Sequence, residues 1–164
     1  MAVPLLPVVT SIISVIVLLI CTVNVHFATA TSNNYKNVYG NALQPCSSDG
    51  MALTGYTRNS YCVDENDNDG SHHICIDLSS TTGGNFCTAT GQSNWCSSEM
   101  PCHDDTTQYC QVQHWCVCQW AFASYLHTAG GCDQIQTIVC DAINIQSVYA
   151  YQKQQSQSKY QTAL

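Results

Sequence analysis

Cysteine constrains this chain more than any other residue type. Twelve occur in 164 residues, at positions 21, 46, 62, 75, 87, 96, 102, 110, 116, 118, 132 and 140. In a short exported chain such density is the mark of a disulfide framework, whereas a cytosolic chain would use it for metal or redox chemistry. The compartment therefore has to be read before the fold.

The N-terminus points to export. Residues Met1–Val25 carry no charged side chain, and Val8–Ile20 (VVTSIISVIVLLI) is apolar almost without interruption. Ala28-Thr29-Ala30 then supplies the small-x-small pattern of a signal-peptidase site. Residues 1–30 are read as a signal peptide, leaving 164 − 30 = 134 mature residues. The alternative is a signal anchor that stays in place, a single pass through the membrane by residues 8–27, which are about the number needed to span a bilayer. Either way the remainder enters the secretory route, to be secreted or displayed at the cell surface. Loss of Cys21 leaves an odd number of cysteines, so at least one thiol must stay free, pair between chains or bind something. Spacing alone does not give the connectivity.

What remains has room for one core only. It is read as a cysteine-rich domain over residues 31–150 with a polar Gln/Ser-rich tail over 151–164. The net charge is −7 with four Lys and Arg in all, which excludes a nucleic-acid partner. Charged residues make up 9%, far below the usual quarter, so Asn, Gln, Ser and Thr must carry the surface. There is no Asn-x-Ser/Thr acceptor for N-glycosylation.

From Asn37 to Asp69, Gly40, Pro45, Gly50 and Gly55 break the chain into loops and short extended pieces. His73–Leu78 alternates as a strand, and so does Gln111–Gln119, which would set Cys116 and Cys118 on one face. Trp120–His127 has no breaker and runs into Ala129-Gly130-Gly131, a short helix with a glycine cap. Ile135–Cys140 is a further strand candidate, which Cys132 and Cys140 would bracket as a staple. A helix could begin at Gln146. The expected class is α+β: a small antiparallel sheet, one or two short helices, many loops, and disulfides to hold them.

Asp64–Cys75, DENDNDGSHHIC, invites a metal reading. Oxygen donors from Glu65 and a glycine at the sixth position imitate an EF-hand loop, but the twelfth position is Ile76 where a bidentate Glu is required. An EF-hand is excluded; a looser calcium site and a plain polar turn both remain. His72, His73, Cys75, Cys116 and Cys118 offer softer ligands, without the paired CxxC spacing of zinc modules. Neither a Gly-x-Ser-x-Gly elbow nor a Cys-x-x-Cys redox motif is present. Trp95, Trp115 and Trp120 suit either a core or the wall of a carbohydrate or apolar pocket, and His114 and His127 suit the surface.

Four phrases, in order, carry a resemblance to a known family. Asn37-Val38-Tyr39-Gly40 with Leu43-Gln44-Pro45-Cys46-Ser47 is similar to an "NVLG-x-PLxPCS" opening. Thr54-Gly55-Tyr56-x-Arg58 is similar to "TGFxR", Gly70-Ser71-His72-x-Ile74-Cys75 to "GSHxVC", and Trp115-Cys116-Val117-Cys118 to "WCLC". Together they resemble the mostly bacterial family called domain of unknown function 2237, over Asn37–Gly131 and more weakly to Tyr151. The resemblance implies no activity. It implies that Cys46, Cys62, Cys75, Cys116 and Cys118 belong to the shared domain, with His72, while Cys87, Cys96, Cys102, Cys110, Cys132 and Cys140 are additions. Those six form an even set, compatible with three added bridges; the unpaired thiol then falls among the shared five. Where the family continues with Thr-His after Asp141-Ala142, this chain has Ile143-Asn144, so no role for that histidine carries over.

Two functions follow. The leading one is a secreted or cell-surface, disulfide-stapled domain with a binding or structural role and no catalysis, needing no cofactor, its partner an extracellular protein or glycan. On that reading Cys46, Cys62, Cys87, Cys96, Cys102, Cys110, Cys132 and Cys140 are structural. The alternative is a soft divalent metal or thiol-redox site at His72, Cys75, Cys116 and Cys118. Membrane contact is expected only through an uncleaved N-terminal segment.

Overall fold

The structure is a computed structural model, and it describes residues 34–64, 71–81 and 83–161, from residue 156 onward by backbone alone. The leader with its cleavage site, and most of the acidic loop with its calcium reading, lie outside the described residues.

Two antiparallel strand pairs form the extended part of the described chain. In the first, β1 (Ile74–Asp77) pairs with β4 (His114–Val117). Cys75 stands opposite Cys116 and Ile76 opposite Trp115. In the second, β2 (Glu99–Pro101) pairs with β3 (Tyr109–Gln111). The helices are α1 (Phe86–Ala89), α2 (Gln119–Ala129) and α3 (Gln146–Gln161). The α+β class is as expected, with two small sheets instead of one.

The first pair is the centre of the molecule. Ile74, Cys75, Ile76, Trp115, Cys116 and Val117 are all buried, and Phe86, Phe122 and Tyr125 close over them from α1 and α2. Phe86 and Tyr125 meet edge to face at 5.3 Å between centroids, the geometry that aromatic quadrupoles favour. Asn85 caps α1 by accepting the Thr88 N–H at 3.2 Å. Gly130 ends α2 in the left-handed region at φ 91°, as its sequence implies.

Much of the chain is loop, and buried loop backbone needs partners. Three buried amides supply them. Gln136 Oε1 accepts from the Phe86 N–H at 2.9 Å while its Nε2 donates to the Leu78 carbonyl at 3.0 Å. Asn37 Oδ1 accepts from the N–H groups of Tyr39 and Asn41. Asn144 Nδ2 donates to the Cys62 carbonyl at 3.2 Å. Tyr125 does the same from α2: its hydroxyl donates to the Gly84 carbonyl and accepts from the Gln136 N–H. Tyr125→Phe orphans the buried Gln136 N–H, and is expected to cost about 1–3 kcal/mol in denaturant melts.

Four disulfides tie these parts together: Cys46–Cys75, Cys62–Cys116, Cys87–Cys96 and Cys102–Cys110. Two sequence expectations are corrected. Cys132 and Cys140 do not staple each other, for both carry free thiols. Ile135–Cys140 is no strand; it makes a single bridge, Ile76 to Ile138, before a 3-10 turn at Cys140–Ala142. The β4 strand also stops at Val117, so Cys118 caps α2 and does not continue the strand face. From Gln146 the polar tail is helical through Gln161, held at its start by Tyr151, whose hydroxyl donates to the Gln119 carbonyl at 2.5 Å.

Candidate functional site

The two disulfides at the centre each fasten a loop to the β1/β4 pair. Cys46 brings in the segment before Thr54, and Cys62 the segment after Arg58. The loop between them, Thr54–Ser60, is thereby held against β4. Thr54 is buried, and its hydroxyl accepts the Cys116 N–H at 2.8 Å. Gly55 at φ 95° turns the chain beneath Ser60 and Tyr61, where a Cβ would come within 2.8 Å of the Tyr61 carbonyl. No other residue type fits there without a shift of the backbone.

The result is a cleft beside Trp115. One part, of about 220 Å³, is lined by Gly55, Tyr56, Arg58, His72, Trp115 and Cys116. A smaller part, of about 70 Å³, shares His72, Trp115 and Cys116 and adds Trp95 and Cys118. Tyr56 stacks on His72 with centroids 5.5 Å apart and planes 28° from parallel. The Arg58 guanidinium lies 4.9 Å from the Trp115 ring centre, within cation–π range. Trp95 meets Trp115 at 5.8 Å. Arg58, Ser60 and Ser71 all hold positive φ, at 54°, 71° and 45°, which non-glycine residues seldom adopt. Their place along the two segments that bear Tyr56 and His72 makes this the strained part of the described chain.

Burial lowers the pKa of His72 below its ordinary 6.5, against the opposing pull of the Asp64 carboxylate; His73 and Arg58 push in the same direction as burial. At neutral pH the ring is uncharged. The unfolded chain takes up a proton as pH falls through 6.5 and the folded chain does not until lower pH, so acidification costs stability in that window. His72→Gln is expected to flatten the decline, and a histidine NMR titration should place the His72 midpoint below 6.5.

Of the four residues proposed from sequence as a ligand set, His72, Cys116 and Cys118 share the smaller part of the cleft. Cys75 and Cys116 are each bonded to another sulfur, so in this state neither offers a thiolate. Cys118 is the unpaired member of the shared five and is half-buried. Trp120 lies outside the cleft, exposed and edge-on to Tyr151.

Sequence reasoning named the histidine next door among the soft ligands but left it out of the final set. His73 is buried; its Nε2 bonds the Asp64 carboxylate at 2.6 Å and its Nδ1 meets the Gln119 amide oxygen at 3.0 Å. The second Asp64 oxygen is buried without a partner among the described residues. His73 opens the alternating run that leads into β1, two residues before the buried Cys75, and that shared face was the available signal.

The phrases read from the sequence thus converge in space. Gly55, Tyr56 and Arg58, then His72, and Trp115-Cys116-Val117-Cys118 surround one opening, cross-linked at its base through Cys116. Comparison with protein families agrees: residues 36–155 match the family described as an uncharacterized protein conserved in bacteria, domain of unknown function 2237. The chain belongs to that family. The matched span takes in every element described above except the last part of α3. No curated protein matches the chain.

Proposed function

We propose that this chain is an exported binding domain without catalytic activity, and that its partner enters the cleft formed by Tyr56, Arg58, His72, Trp95 and Trp115. The observation that carries the reading is the convergence of separated motifs on one opening whose walls are locked by Cys46–Cys75 and Cys62–Cys116. Disulfides of this number belong to an oxidising compartment, in keeping with the apolar leader.

The cleft also limits the ligand. At about 220 Å³ its larger part is below the ~300–1,000 Å³ of sites for whole cofactors or drug-sized molecules. It suits one inserted group: a sugar ring against the aromatic faces, or one side chain of an extracellular protein. A neutral His72 and the Arg58 guanidinium supply polar contacts beside those faces.

Glycan and peptide arrays probed with the purified chain provide the test. Tyr56→Ala and Arg58→Ala alter exposed side chains, so melting should stay within about 0.5 kcal/mol while array binding is lost. Binding that survives both substitutions would place the partner elsewhere.

One observation favours a second reading. Cys118 is free and reaches the same cleft, so thiol chemistry there is the rival. Cys118→Ala separates the two: it leaves a binding domain intact and silences a thiol protein.

A further inference from the structure

We infer that the reduced chain holds one soft divalent cation in its core, through the sulfurs of Cys46, Cys62, Cys75 and Cys116. This is a different set from the one that sequence spacing suggested, and it does not depend on the binding role of the cleft. The sulfurs of Cys46, Cys62 and Cys116 all lie within 4.8 Å of one another, in fully buried positions. The Cys75 sulfur lies outside that group of three and is tied to it by its bond to Cys46.

The backbone explains the crowding. Cys75 faces Cys116 across the β1/β4 ladder. The Cys75 carbonyl accepts from Val139 and the Cys116 N–H donates to Thr54, so both point away from the shared ladder. Such a pair exchanges no hydrogen bonds and is the kind in which facing side chains stand closest. The Cys116 sulfur is met by those of Cys46 and Cys62 from the flanking loops, three of the four corners a tetrahedral cation needs, and Cys75 is the fourth once its bond to Cys46 opens. In a tetrathiolate zinc site, bonds of about 2.3 Å put neighbouring sulfurs about 3.8 Å apart. Opening the two cystines lets the bonded sulfurs part toward that spacing, with Cys75 closing on the three that the scaffold already gathers.

The chemistry balances simply. Two equivalents of a dithiol or phosphine reductant deliver four electrons, and with four protons the two cystines become four thiols. Binding of the divalent cation then releases four protons and forms a tetrathiolate of net charge −2. Oxidising conditions give the two disulfides, and reducing conditions give the metal-bound fold. One scaffold serves both.

The test uses the purified chain, reduced under anaerobic conditions with a phosphine, with Zn²⁺ or Cd²⁺ added and excess removed by gel filtration. The expected result is one metal per chain, a cadmium–thiolate charge-transfer band, and mass-mapped protection of Cys46, Cys62, Cys75 and Cys116 from alkylation. Cys87, Cys96, Cys102 and Cys110 should alkylate freely. Protection needs no variant, so the outcome stands even where a cysteine substitution prevents folding. Cys102→Ser with Cys110→Ser should keep the metal, while Cys62→Ser should lower retention at least tenfold. A reduced chain that retains no metal, or that protects Cys118 in place of Cys75, or Cys102 with Cys110, overturns the assignment.

Discussion

Replacing Cys62 and Cys116 together by serine is expected to destabilise the oxidised protein more than removing any other cross-link. The loop they close spans 54 residues, against 29 for Cys46–Cys75, 9 for Cys87–Cys96 and 8 for Cys102–Cys110. Chain-entropy reasoning assigns about 4 kcal/mol to the longest loop and about 2.5 kcal/mol to each of the two short ones. Domains of this size have only about 5–15 kcal/mol to lose. The double variant should therefore melt on the order of 10–20 °C lower, by calorimetry. Cys102→Ser with Cys110→Ser should melt only modestly lower. An equal loss from both would mean that the central cross-links do not carry the fold.

His73→Ala is the second large effect. His73, buried, and Asp64, largely buried, form a close pair, and the second Asp64 oxygen already lacks a partner among the described residues. Removing one member of such a pair typically costs about 3–5 kcal/mol, because the other is left buried and uncompensated. The same substitution at His72, half-buried in the cleft, removes a more exposed ring. Denaturant midpoints for His73→Ala and His72→Ala measured side by side should differ by at least about 2 kcal/mol. Comparable midpoints would show that the Asp64–His73–Gln119 contact does not organise this corner.

How much of this was legible in the sequence depended on the range of the signal. Strand β1, helix α2 and its glycine cap were readable because each rests on alternation or on a local capping residue. The limits of β4 were not, since Cys118 leaves the strand only where the backbone turns to cap α2. Ile135–Cys140 alternates like a strand but has only Ile76 to pair with, and one bridge does not make a ladder. Resemblance had marked the shared cysteines as an odd group, and the structure leaves Cys118 as its free member. The even group fared worse: two of its three bridges close loops of under ten residues, while Cys132 and Cys140 stay apart.

The site itself was half visible. His72, Cys116 and Cys118 were marked together, and all three line the cleft. Arg58 and Tyr56 were quoted only as part of a phrase, because nothing local shows that residues sixty positions away will supply the ring for a guanidinium to cover. That contact exists through the Cys62–Cys116 bond, which no spacing rule could supply. Long-range sulfur pairing was the missing information throughout.

Digestion of the oxidised chain under non-reducing conditions, after alkylation of free thiols, tests the central claim most directly. Mass spectrometry should recover Cys46 linked to Cys75 and Cys62 linked to Cys116, with alkyl groups on Cys118, Cys132 and Cys140. A bond from Cys118 to any partner, or Cys75 joined to Cys116 across the ladder, would contradict the cross-linked cleft on which the account stands.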